Sequence, residues 1–291
     1  MEHIYMKARA KINLNLLILG KREDNYHNIE SVFQKVNLYD EIYIKKTKTN
    51  QFELKTNVEG LNNSENIIYK AYIKLKEQYK KIDGIEVILN KKIPMQAGMA
   101  GGSTDCASFI ICMNKLFTLN LSRKEIETIG KSLGADVVPC FYNKAILAEG
   151  IGDIITKINT DFKYYILIIK PNISYNTKEM YKKLDEKSEF KQSNNTKLII
   201  KALENHDLEL IANNLYNVFE DVVEHKMIIQ DIKKQLLEKG AIGSLMTGSG
   251  SCIYGIFKSK QTAKLAYKTL KDRYETYICT SYNSKKEEIF W

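Results

Sequence analysis

The sequence contains few of the residues that mark disulfide-rich, metal-binding or membrane proteins. Its 291 residues include three prolines and five cysteines, and the cysteines lie far apart with no C-x-x-C pair. This spacing argues against a disulfide framework and a zinc site, and it favours free, buried thiols. No apolar run reaches the ~18 residues that a membrane-spanning helix needs, and the amino terminus lacks the apolar block of a signal peptide. We therefore expect a cytoplasmic protein with no membrane partner.

Arginine is scarce as well. Only four of the 44 basic residues are arginines, although the formal net charge is +9. Proteins that read nucleic acids rely heavily on arginine, and here the lysines are spread along the whole chain instead of forming one patch. We predict no nucleic-acid partner, although a nonspecific attraction for polyanions, including nucleotides, is expected.

The length and composition favour a globular protein with a sizeable core. A chain of 291 residues with 44% hydrophobic residues more readily forms two domains than one. No linker rich in Pro, Gly or Ser separates them, so we place the boundary between residues 160 and 161, where the half of the chain with most motifs ends. The polar stretch 186–195 is typical of a mobile loop.

The most informative stretch is a glycine-rich segment at residues 94–107. It follows a β-branched, mostly apolar strand pattern at 84–89 and leads into apolar residues at helical spacing. Gly98, Gly101 and Gly102 have no Cβ to block a close approach and can adopt positive φ angles. A loop of this kind presents unpaired backbone N–H groups at the positive end of a helix dipole. It is therefore a candidate phosphate site, although such a turn can also be merely a tight connection.

Other phosphate-binding motifs are excluded by their spacing. No G-x-G-x-x-G occurs, which disfavours a dinucleotide site and a protein-kinase glycine-rich loop. Gly130-Lys131-Ser132 imitates the end of a Walker A loop, but Glu125 stands where its first glycine belongs. The loop at 94–107 must belong to another class.

Three segments, in order along the chain, resemble the motifs of the GHMP kinases. Residues 94–104 read Pro-x-x-x-Gly-x-x-Gly-Gly-Ser-Thr, residues 8–16 resemble the first family motif, and residues 246–252 resemble the third. The resemblance implies an α+β protein with the two-domain GHMP-kinase fold. A ribosomal-protein-S5-domain-2-like α/β domain is expected at residues 1–160 and a ferredoxin-like α+β domain at 161–291. It also implies phosphorylation of a small-molecule hydroxyl, with ATP and Mg2+ as cofactors.

The resemblance assigns the nucleotide-binding residues. It places the ATP phosphates on the glycine-rich loop, whose members are Pro94, Met95, Gln96, Ala97, Gly98, Met99, Ala100, Gly101, Gly102, Ser103 and Thr104. Asn66 is expected either to reach the adenine or to cap the helix that begins there, for which Ser64 is the predicted N-cap. No carboxylate pair marks a dedicated metal site, and Ser103 or Thr104 is the expected protein ligand of Mg2+.

The catalytic residues implied by the resemblance lie on either side of this loop. Residues 8–16 alternate apolar and polar, which predicts a strand buried on one face with Lys11 and Asn13 on the other. Composition alone would make Lys11 one more solvated lysine and Asp136 an ordinary turn residue. The family pattern makes Lys11 and Asp136 catalytic and gives Asn13 to the substrate. The sequence departs from that pattern at Val138, because proline, which usually stands there, follows one residue later.

Four more residues are assigned to the substrate by resemblance. Within the family the chain most resembles members whose substrate carries a cytidine diphosphate, and in these a Tyr-His pair matching Tyr26 and His27 holds the cytosine. Thr177 and Tyr181 lie one helical turn apart in a region used against the cytidine. Without the resemblance, Tyr26 and His27 would be ordinary loop residues.

Two other functions stay open at this point. The chain could be a GHMP kinase for homoserine or mevalonate, in which case Tyr26 and His27 would have no base to hold. It could also be a basic, non-catalytic protein that binds RNA or a protein partner, against which the retained Lys11, Asp136 and three glycine motifs argue. We expect a monomer or a weak homodimer.

Overall fold

The computed structural model describes residues 1–187 and 194–284, which form two β-sheets with helices packed around them. The strands are β1 His3–Asn13, β2 Asn15–Lys21, β3 His27–Lys46, β4 Phe52–Thr56, β5 Ile85–Asn90, β6 Ile146–Gly150, β7 Ile154–Lys157, β8 Tyr165–Lys170, β9 Tyr216–Asn217, β10 Gly243–Met246, β11 Ile253–Phe257 and β12 Glu275–Thr280. The α-helices are α1 Ile67–Gln78, α2 Gly101–Leu116, α3 Arg123–Leu133, α4 Val137–Cys140, α5 Thr177–Asp185, α6 Asn195–Glu204, α7 Leu208–Asn213, α8 Lys226–Glu238 and α9 Lys260–Leu270. Across these residues, each helix is too short or too polar to span a bilayer. Of the loop predicted at 186–195, residues 188–193 lie outside the described residues.

The first sheet is built around β3, which is 20 residues long. This strand pairs antiparallel with β1, β2, β5 and β6, while β4 adds parallel to β5, and β7 adds antiparallel to β6. Ile42 and Ile44 are fully buried against the apolar side of α1 and α2. The short strand β9 adds parallel to β2, so the carboxyl-terminal part of the chain contributes to this sheet. The predicted boundary between residues 160 and 161 therefore stays a prediction.

The second sheet is antiparallel, in the order β10-β11-β8-β12. Alternate residues of β8 point to opposite sides: Leu167 and Ile169 pack with α8 and α9, while Ile166 and Ile168 pack with Ile12 of the first sheet. This sheet has α8 and α9 on one face, and its second face packs against the amino-terminal half and against α6 and α7. The predicted α+β class is confirmed.

The strand predicted at residues 8–16 differs from the observed one in two respects. It is divided at Leu14 into β1 and β2, and its polar side is buried, including Lys11, Asn13 and Asn15. The reason is that residues distant in the chain cover this side: Asn13 N donates to Thr247 Oγ at 3.0 Å. A polar side chain on this strand can be buried because it finds hydrogen-bond partners there.

Candidate active site

The glycine-rich loop between β5 and α2 has a backbone that only certain residues accept. Gly98 has φ +71°, and the non-glycine residues Gln96 and Ala100 also adopt left-handed conformations, with φ +50° and +56°. A Cβ on Gly98 would lie 2.0 Å from the Thr247 carbonyl oxygen, so glycine is required there for space as well as for conformation. A Cβ on Gly102 would meet nothing within 4 Å, which leaves that amide open to an incoming group.

This loop forms one side of a cleft of about 770 Å³. Residues 94–102 line it, and helix α2 begins at Gly101 with its positive end towards the cleft. The first N–H groups of the helix have no acceptor within the helix and can bind an anion. Ser103 and Thr104, also assigned to the nucleotide by the sequence, are not among the lining residues; Thr104 is buried and its Oγ donates to the Arg9 carbonyl at 2.8 Å.

Strand β1 holds the loop in place from behind. Lys11 N donates to the Met99 carbonyl at 3.3 Å, and Lys11 Nζ donates to the Gly98 carbonyl at 3.1 Å. These bonds engage two carbonyl oxygens of the loop and fix its backbone against β1. The loop is thus preorganised for a negatively charged ligand.

Lys11 contacts this loop through its ammonium group, which is fixed by hydrogen bonds. Its Nζ donates to Asn13 Oδ1 at 2.7 Å, and Asn13 Nδ2 in turn donates to Ser31 Oγ at 2.8 Å. Burial lowers the pKa of Lys11, and the negative charge of Asp136 opposes that shift. A lysine in this environment gains from an anionic ligand, because phosphate would favour its charged form.

Asp136 is exposed and lines the same cleft as Lys11 and Asn13. Among the described residues, its carboxylate has no recorded hydrogen bond, so it is available to a ligand. It directly precedes α4, where Val138 and Pro139 are both buried in the helical turn. The departure from the family pattern at Val138 is therefore accommodated inside α4, and Asp136 still reaches the cleft.

The third motif closes the cleft from the carboxyl-terminal half. Gly248, Ser249 and Gly250 line the cleft, and Asn217 Nδ2 holds this turn by donating to the Met246 and Gly248 carbonyls at 2.7 and 2.8 Å. A Cβ on Gly248 would lie 2.7 Å from the Gly98 carbonyl oxygen. The two glycine turns are therefore in direct contact, although they are about 150 residues apart.

Besides Asn13, four residues were assigned to the substrate, and two of them line the cleft while two do not. Thr177 and Tyr181 line the cleft, and Thr177 Oγ is hydrogen-bonded to Ser249 Oγ at 2.8 Å. His27 is buried and does not itself line the cleft; it stacks on Tyr181, which does, with ring centroids 4.8 Å apart. Tyr26 is 56% exposed and is not among the lining residues.

The opposite end of the cleft contains Asn66 and a buried charge cluster. Asn66, and not the predicted Ser64, is the N-cap of α1: its side chain accepts from Ile68 N at 2.9 Å, while its Nδ2 donates to the Leu61 carbonyl. Although its Oδ1 is used to cap α1, Asn66 also lines the cleft. Lys91 forms ion pairs with Asp40 and Asp105, and burial raises the pKa of Asp105 well above its usual value.

Sequence reasoning did not assign several residues that line the cleft. Lys91 was indistinguishable from the other lysines of a lysine-rich chain, and Phe219 lies in no motif. Gly248 and Ser249 belong to the third motif, but no residue of this motif was assigned to the site. The two glycines of this motif, Gly248 and Gly250, were the signal that could have identified this turn as part of the site.

The chain matches two family models, GHMP kinases N terminal domain at residues 66–144 and GHMP kinases C terminal at residues 199–276. It is 40% identical over 291 residues to 4-diphosphocytidyl-2-C-methyl-D-erythritol kinase of Alkaliphilus oremlandii (strain OhILAs), covering 99% of each chain. It is 38% identical to the enzyme of the same name from Clostridium perfringens (strain 13 / Type A), over 96% of this chain and 98% of that one.

The fold is also that of a solved relative. The crystal structure of a 4-(cytidine 5'-diphospho)-2C-methyl-D-erythritol kinase matches with a TM-score of 0.83 and 22% identity, over 97% of this chain and 100% of the other. This similarity supports the two-domain fold, and the sequence matches over nearly the full length support the relationship. The chain therefore belongs to the GHMP kinase family and is a small-molecule kinase.

Proposed function

We propose that the protein transfers the γ-phosphoryl group of ATP to the 2-hydroxyl of 4-diphosphocytidyl-2-C-methyl-D-erythritol, giving the 2-phosphate and ADP in non-mevalonate isoprenoid precursor biosynthesis. The observation that carries this proposal is the meeting of the glycine-rich loop, Lys11 and Asp136 in one cleft whose other wall contains Thr177 and Tyr181. The relatives at about 40% identity carry the name of this activity.

Positioning and charge account for most of the catalysis in this proposal. Phosphoryl transfer asks the protein for little covalent chemistry. The amides of residues 98–103 would hold the β- and γ-phosphates. Lys11, fixed by Asn13 and the Gly98 carbonyl, would stabilise the negative charge that develops during transfer.

Asp136 would accept or orient the proton of the substrate hydroxyl. A carboxylate that lines the cleft and has no recorded hydrogen bond among the described residues fits this role. Asn13 would position the alcohol, since its amide is already fixed by Lys11 and Ser31.

The oxygen ligands present fit a magnesium ion that is held mainly by phosphate and water. The described residues contain no group of three or more His, Cys, Asp or Glu side chains that could hold a metal ion. The Thr104 hydroxyl donates to the Arg9 carbonyl, so Ser103, which follows the cleft-lining Gly102, would be the ligand from this loop, provided that its hydroxyl turns into the cleft. Bound there, the metal would neutralise phosphate charge.

The proposal is tested by measuring ADP release with the cytidylyl substrate and with other alcohols. Lys11→Ala and Asp136→Ala should each lower kcat by about 10²–10⁴-fold without loss of folding, because each removes a group acting in the transition state. Lys45→Ala is the matched control: Lys45 is an exposed lysine on β3, so its replacement should leave kcat unchanged. Near-normal turnover in both active-site variants would refute the mechanism. Faster turnover of homoserine or mevalonate than of the cytidylyl compound would show that the proposed substrate is wrong.

Several sequence expectations remain predictions. These are the cytoplasmic location, the lack of a nucleic-acid partner and a monomeric or weakly dimeric state. Nucleotide-dependent stabilisation without turnover of any alcohol would favour the non-catalytic alternative.

A further inference from the structure

One carboxylate, Asp185 at the end of α5, joins two residues of the first sheet. His27 and Lys21 are paired on neighbouring strands, β3 and β2. Asp185 Oδ1 lies 2.6 Å from His27 Nε2, and Asp185 Oδ2 lies 2.6 Å from Lys21 Nζ. Each carboxylate oxygen therefore has its own partner.

This arrangement determines which ring nitrogen of His27 carries the proton. Partial desolvation acts to raise the pKa of Asp185, but hydrogen bonds from Lys21 and His27 outweigh it and lower that pKa. An ionised carboxylate only accepts hydrogen bonds, so Nε2 of His27 must donate. In a neutral imidazole the other nitrogen, Nδ1, is then an acceptor.

The ring of His27 is fixed in orientation as well. Its side chain is 5% exposed and stacks on Tyr181 at an interplanar angle of 22°, and Tyr181 packs edge-on against Phe219. Tyr181 and Phe219 both line the cleft. Within residues 1–187 and 194–284, Nδ1 has no recorded hydrogen-bond partner, so its acceptor capacity is unused by the protein.

We propose that Asp185 is a positioning residue that locks His27 in the Nε2–H tautomer, and that Nδ1 thereby selects cytosine over uracil. The proposal rests on the proposed function and on the family resemblance, which assigns His27 to the cytosine of the substrate. Cytosine presents an amino group that donates to Nδ1, whereas uracil presents a carbonyl oxygen at the same place. Two acceptors facing each other would leave both without a hydrogen bond, which disfavours the uracil nucleotide.

The variant Asp185→Asn tests the mechanism because Lys21 dictates how the new amide turns. An amide has one accepting oxygen and one donating NH2 group, and Lys21 can only donate. The amide oxygen must therefore face Lys21, and its NH2 group must face His27 Nε2. That nitrogen becomes the acceptor, the proton moves to Nδ1, and the preference changes towards uracil.

The experiment measures the dissociation constants of CDP and UDP by calorimetry at pH 8.5. The wild type should bind CDP about tenfold or more tightly than UDP, in line with one base-edge hydrogen bond. In Asp185→Asn this ratio should fall at least tenfold. In Lys21→Met/Asp185→Asn the amide is free to turn its oxygen to His27, so the ratio should recover, and Lys21→Met alone should keep it.

Nitrogen-15 spectra of the histidine rings provide a direct readout that loss of packing would not reproduce. The chain has four histidines, so assignment of His27 is practical. The Nε2–H pattern should be present in the wild type and the Nδ1–H pattern in Asp185→Asn. Equal binding of CDP and UDP by the wild type, or an unchanged tautomer in Asp185→Asn, would overturn the proposal. Cytidine selectivity without phosphoryl transfer would instead refute the proposed function and leave this inference standing.

Discussion

Replacing Gly98 by alanine should destabilise the protein strongly, because the loop has neither the conformation nor the space for a side chain. The left-handed conformation at φ +71° costs a residue with a Cβ about 1–2 kcal/mol. The new Cβ would also lie 2.0 Å from the Thr247 carbonyl oxygen and 3.0 Å from Gly250 N, both backbone atoms. Overpacking of this kind costs about 1–3 kcal/mol. We therefore expect a loss of about 2–5 kcal/mol, a large part of the ~5–15 kcal/mol that stabilises a typical domain.

Gly102→Ala is the matched control, four residues along the same loop. Its Cβ would meet nothing within 4 Å, and alanine is favoured over glycine in a helix by about 0.5–1 kcal/mol. Urea unfolding followed by circular dichroism should therefore show a lower midpoint for Gly98→Ala and an unchanged or higher one for Gly102→Ala. The same Gly102→Ala variant should bind ADP more weakly, because its methyl group faces the cleft. A loss below about 1 kcal/mol in Gly98→Ala, or equal losses in both, would refute this account of the loop.

Three further predictions concern strain and buried charge. Ala100→Gly should raise the stability by about 1 kcal/mol, since φ is +56° there; a lower urea midpoint would contradict this. Burial lowers the pKa of Lys35 below its ordinary 10.5, so between that lowered pKa and pH 10.5 the unfolded chain binds more protons and stability rises with pH. Lys35→Met should flatten that slope in unfolding measured between pH 7 and 10, and an unchanged slope would exclude Lys35 as its source. Lys91→Met should cost about 3–5 kcal/mol, because Asp40 and Asp105 lose their shared cation; a loss under 1 kcal/mol would contradict it.

The local features of the site could be predicted from the sequence because they depend on neighbouring residues. The strand, glycine-rich loop and helix at residues 84–116 follow from β-branched residues, glycine and helical spacing in one segment. The second glycine motif, at residues 246–252, was found through its own residues as well, by their resemblance to the third family motif. These elements carry their conformational preferences in their own residues.

The contacts between distant segments could not be predicted in this way. The burial of Lys11 and Asn13 depends on Thr247, which is 234 residues from Asn13. The partner of His27 is Asp185, 158 residues away, and no periodicity pairs the two. The capping of α1 by Asn66 instead of Ser64 is a smaller example, in which two good N-cap residues lie two positions apart.

The contact between Gly98 and the turn at Gly248 limits how the protein can be recombined with its relatives. The carboxyl-terminal half supplies the turn that meets the nucleotide loop, and it also supplies strand β9 to the first sheet. A chimera joined near residue 160 would have to match both connections at once. We expect most such exchanges to assemble poorly, whereas grafts confined to the outer helices α8 and α9 should be accepted.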